Sequence, residues 1–142
     1  MVNSKQLIAA SEKKAQELQE KDKKLADLEK QFNKAMVAIY NRAKTECQYN
    51  ATYLLKMISE EGGLKTAKNL LNAKYVSEGF EKLFTLKRLD LTVEALVLTK
   101  PWCELFNSKE LETAIKRLNS LGYKLKLNEL LSGIINNPKS SH

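Results

Sequence analysis

The chain has 142 residues, 43% hydrophobic and 29% charged, which is close to globular averages and excludes disorder along its whole length. Its net charge of +7 and pI near 9.3 favour acidic partners. The excess is even, ten Lys/Arg against seven Asp/Glu in residues 1–46 and fourteen against ten in residues 47–142, so no dense basic run marks a binding face. Only five Gly and two Pro punctuate the chain, which favours helices with short connections, and the first third is too polar to join a core.

From Ser4 to about Lys44 there is no Gly or Pro, and Ala, Glu, Lys, Gln and Leu dominate, the composition of one long helix. Ser11, Leu18, Leu25, Phe32 and Ile39 form one heptad row, and Leu7, Lys14, Lys21, Leu28, Ala35 and Arg42 form the other. Two lysines weaken that seam. Two readings therefore stand side by side: a solvated helix that docks only from about Leu25 onward, and a coiled-coil homodimer through Leu7, Leu18, Leu25, Leu28 and Phe32. Glu17–Lys21 and Glu20–Lys24 have the favourable spacing of four but do not choose between them. At Phe32–Tyr40 the apolar face widens enough to meet a core, which sets a domain boundary near Gln31.

A second helix is expected from an Asn50 cap through Tyr53, Leu54, Met57 and Ile58 to Glu61, ended by Gly62-Gly63. Leu64–Leu71 reads as a short third helix, and Ser77 caps a fourth over Glu78–Leu86. Asp90 or Thr92 caps a further helix through Leu98, so apolar that it forms the centre of the core; a strand over Leu89–Leu98 is the rival reading. Lys100-Pro101-Trp102 breaks the chain. Asn107 with Glu110 opens a helix that carries Leu111, Ala114, Ile115 and Leu118 and stops at Gly122. A last helix from Asn128 carries Leu130, Leu131, Ile134 and Ile135. The expected architecture is all-α: a long charged helix (residues 1–31), a compact multi-helix domain (32–135) and a flexible tail (136–142).

No apolar run is long enough to span a bilayer, and Met1–Lys5 shows no export pattern. With Cys47 and Cys103 isolated, these features point to a reducing cytoplasm and no membrane association. The sole histidine is His142 at the C-terminus, so a histidine general base or metal ligand in the core is excluded. Both cysteines read as small, partly buried hydrophobes. Gly62-Gly63 lacks the patterns that cradle phosphate and reads as a helix terminator. Asp90 and Glu94 are a helical turn apart, yet Arg88-Leu89-Asp90 suits a structural ion pair and cap better than acid–base chemistry. No catalysis, cofactor or metal is expected. For nucleic acid, or for an acidic protein groove, the candidate contacts are Lys87, Arg88, Lys116, Arg117, Lys124 and Lys126, with Tyr123 to stack on a base.

From about Phe32 to Tyr123 the sequence resembles an uncharacterised bacterial helical module. The match is carried by Tyr49-Asn50-Ala51-Thr52, Gly62-Gly63, Ala67-Lys68-Asn69-Leu70-Leu71, Ser77-Glu78-Gly79-Phe80, the run from Arg88 to Leu98, Leu105-Phe106, and Ala114 with Arg117-Leu118. Such modules stand alone without assigned activity or are appended to bacterial defence or DNA-processing proteins. The resemblance implies an accessory, non-enzymatic protein-interaction or oligomerisation module working with a defence, counter-defence or DNA-processing system. A basic nucleic-acid-binding protein, or a phage or mobile-element inhibitor of a bacterial nuclease, are the alternatives.

Overall fold

The computed structural model describes residues 3–123. The helix expected from Asn128, the tail, Lys124 and Lys126 lie outside them. The described chain is all-helical: α1 Ser4–Cys47, α2 Thr52–Glu61, α3 Gly63–Asn72, α4 Glu78–Thr85, α5 Val93–Val97 and α6 Ser108–Ser120, with 3-10 turns at Leu89–Leu91 and Trp102–Leu105.

The long helix α1 starts at a reciprocal cap in which Asn3 Oδ1 accepts from the Gln6 N–H at 2.9 Å and Gln6 Oε1 accepts from the Asn3 N–H. It runs roughly 65 Å at the usual helical rise. It passes Gln31 without a break, so the change there is one of burial and not of backbone: every residue from Asn3 to Asp27 is exposed, Leu28 is half-buried, and Phe32, Met36, Ile39, Tyr40 and Ala43 are buried. Gln48 ends α1 in the left-handed region, φ 54°, which brings the Tyr49 N–H onto the Ala43 carbonyl at 3.0 Å.

The start of α2 differs from expectation. Thr52 is its first residue and Ala51 the cap, because the Asn50 side chain is engaged elsewhere, accepting from the Tyr40 hydroxyl on α1. The two glycines also have separate reasons to be there. Gly62 takes φ 88° and closes α2. Gly63 opens α3 against α1, donating its N–H to Asn33 Oδ1 at 2.7 Å. A methyl group at position 63 would lie 2.9 Å from the Asn33 Cα, so close approach is what requires glycine there.

Ser77 caps α4 as expected, accepting from the Phe80 N–H at 3.1 Å. Of the two caps considered for the next helix, Thr92 is used: its hydroxyl accepts from the Ala95 N–H at 3.1 Å and donates to the Leu89 carbonyl at 2.7 Å. The helix it caps is only five residues long and, with the Leu89–Leu91 turn, threads the core, where Leu91 to Ala95, Val97 and Leu98 are buried. The Asn107–Glu110 box opens α6, with reciprocal bonds of 2.8 and 2.9 Å. One apolar cluster joins Phe32, Met36 and Ile39 to Ile58, Ala67, Leu71, Phe80, Val97, Leu98, Ala114 and Leu118. Phe32 is its anchor, with ring centres 5.6 Å from Trp102 and 5.5 Å from Phe106.

Candidate interaction surface

Leu7, Leu18 and Leu25 are 58%, 54% and 42% exposed. They project from the part of α1 on which nothing else in the described chain packs. At about 100° per residue they fall within about 40° of Phe32 around the helix axis, on the stripe that is buried further along. Phe32 parts from the rest of the expected seam: at 0% exposure between Trp102 and Phe106, it is committed to the core of its own chain and contributes to no contact between chains. Leu28 lies at the transition. Ile8, 57% exposed beside Leu7, widens the apolar surface near the N-terminus. Sequence reasoning passed over Ile8 because it stands outside both heptad rows; its place next to Leu7 was the signal.

The basic candidates are divided by the fold. Arg117 reaches inward from α6: Nη1 donates to Glu94 Oε2 and to the Leu70 carbonyl, both at 3.0 Å, and Nη2 donates to the Ala73 carbonyl at 2.8 Å. One guanidinium thus ties α6, α5 and the end of α3 together. Its partner Glu94 is buried, and burial pushes the Glu94 carboxyl above its ordinary value despite the opposing pull of Arg117.

Arg88 is held at the other end of the domain by Glu46 at 2.8 Å and by both oxygens of Asp90 at 3.0 Å. The Arg88–Asp90 ion pair anticipated from sequence is present, while the cap has passed to Thr92. Hydrogen bonds from Arg42 and Arg88 hold the Glu46 carboxyl down to about 2, and Arg88 likewise lowers Asp90. Lys87, with φ 61°, and Lys116 are exposed. Tyr123 is half-buried against the core, and its burial raises its pKa. Among the described basic candidates, Lys87 and Lys116 therefore carry the charge not engaged in these pairs. Asp90 is exposed and Glu94 buried, so the two carboxylates do not share one face.

A further ion pair braces α3 against α6. Glu110 Oε1 accepts from Lys68 Nζ at 2.8 Å and Oε2 accepts from the Asn72 amide at 2.8 Å. Burial raises the Glu110 pKa, but these bonds, with that from the Asn107 N–H, outweigh it and leave the carboxyl below its ordinary value. Lys68 also lies over the Phe106 ring at 5.1 Å.

A cavity of about 410 Å³ opens between α1, α2 and α4, lined by Tyr40, Tyr49, Tyr53, Met57 and Phe80 together with Glu78 and Glu94. Its walls are mainly apolar, and of its two carboxylates Glu94 is already held by Arg117. Cys47 is half-buried and Cys103 buried. Among the described residues no cluster of His, Cys, Asp and Glu is placed to hold a metal, and no helix is long and apolar enough to cross a membrane. Comparison with family models, with curated proteins and with solved structures gave no match.

Proposed function

We propose that this chain is a non-enzymatic protein-interaction module that associates with itself through the exposed part of α1 and presents the compact domain to a further partner. The observation that carries this reading is the row Leu7, Leu18 and Leu25, left 42–58% exposed on a helix capped at Asn3 and uninterrupted by Gly or Pro. Fully burying one such side chain contributes roughly 1.5–3 kcal/mol, so leaving the row in water has a cost that association removes. The interspersed Lys and Glu keep the rod hydrated when it is unpaired. The resemblance of the domain to modules appended to bacterial defence and DNA-processing proteins supports an accessory role in such a system, with the domain as the part that meets the partner.

Light scattering coupled to size exclusion tests the association. The expected result is a dimer mass for the full chain, and a monomer for a variant carrying Leu18→Asp and Leu25→Asp, with the thermal transition of the compact domain unchanged. A wild-type monomer at tens of micromolar, or a variant that remains a dimer, would show that the seam is not used.

A further inference from the structure

We infer that the partner on the exposed part of α1 is a second copy of this chain running antiparallel, with residue 4 of one copy beside residue 28 of the other and the compact domains at opposite ends. This rests on the self-association proposed above and goes further in fixing orientation and register.

The first argument is steric. The stripe that carries Leu7, Leu18 and Leu25 continues into Phe32, and there it is covered by the chain's own Trp102 and Phe106, with ring centres 5.6 and 5.5 Å away. A second helix lying in the seam, at the usual 8–10 Å between axes, has room only as far as Leu28. In a parallel pair both domains reach the seam at the same level, each on the side where the other helix must lie, and the two collide. In an antiparallel pair the element that arrives beside Leu28 is the first turn of the partner's α1, where the helix begins at its Asn3 cap.

The second argument concerns charge. Lys14 and Lys21 occupy seam positions. Parallel pairing sets each lysine against its own copy, two like charges at close range. The antiparallel register sets Lys14 beside Leu18 and Lys21 beside Ser11, where the ammonium reaches past the partner into water and the stem covers apolar surface. It also joins Leu7 to Leu25 at both ends of the overlap.

The test uses full-length variants that each add one cysteine, Leu7→Cys and Leu25→Cys, in a glutathione redox buffer, with the unmodified chain as the control for Cys47 and Cys103. Light scattering on each variant first checks that it still associates. The expected result is a disulfide-linked dimer above the control only when the two variants are mixed, containing one of each by mass. Linkage of Leu25→Cys with itself would establish parallel pairing and overturn the proposal, and a dimer that links in neither arrangement would place the contact elsewhere and overturn it too. Small-angle scattering of the unmodified dimer gives a second readout, with two separated lobes expected and a single lobe refuting the antiparallel arrangement. A chain that is monomeric throughout refutes the self-association itself, a result distinct from a dimer of the wrong orientation.

Discussion

Among the described residues, Arg117 and Glu94 form the most deeply placed ion pair, with side chains 11% and 3% exposed. Arg117→Ala would leave a buried carboxylate and two backbone carbonyls without their donor. Breaking a buried pair in this way costs about 3–5 kcal/mol, seen as a marked fall in the denaturation midpoint. Glu94→Gln should cost less, since Arg117 keeps its carbonyl acceptors and the amide oxygen can still accept from it. The two also differ in pH dependence. Because burial raises the Glu94 pKa above that of the unfolded chain, its contribution is complete below the ordinary glutamate value and is lost as pH rises through the folded one. Glu46 runs the other way, contributing above the ordinary carboxylate range and losing that contribution as pH falls towards about 2. Denaturant titrations of wild type and Glu94→Gln from pH 4 to 8 should therefore show the wild type losing ground to the variant as pH rises; parallel curves would mean that Glu94 titrates as it does in the unfolded chain.

For the elements, the α1–α3 contact makes the sharpest claim. Gly63 sits so near Asn33 that an added methyl group requires either backbone to shift, and overpacking of this kind costs roughly 1–3 kcal/mol. Gly63→Ala should lower the melting temperature by several degrees, although alanine is the better helix former and would stabilise an unconstrained helix. No change in the melting temperature would mean that α1 and α3 move apart at Gly63 without cost. The helix starts illustrate what sequence can supply. The absence of Gly and Pro predicts the long helix, and Ser77 and the Asn107–Glu110 box announce two later starts, because caps are chemistry between near neighbours. Asn50 was misread as a cap because its actual partner, the Tyr40 hydroxyl, belongs to another helix.

The described residues form a compact helical domain on a rod whose N-terminal part they leave bare. Deleting residues 1–26 should leave the domain folded, with an unchanged near-ultraviolet spectrum and a cooperative melt, because burial begins only at Leu28. It should also abolish self-association. Loss of the cooperative melt would show that the rod supports the domain in a way burial does not reveal.

The sequence by itself determined the all-helical class, most helix starts and stops, the apolar centre around Leu91–Leu98 and the weak heptad of the rod, since each depends on composition or on residues within a turn or two of one another. Tertiary structure alone decided which side chains are spent inside. Phe32 and Leu25 share one heptad row, yet Phe32 is enclosed by rings from seventy and more positions away and Leu25 is not. The Asp90 partner of Arg88 is legible two residues away, but its Glu46 partner is not, and Arg117 looked like surface charge although Glu94, more than twenty residues back, accepts from it. Burial and ion pairing are set by which segments the fold brings together, and neither is carried by the spacing of residues along the chain.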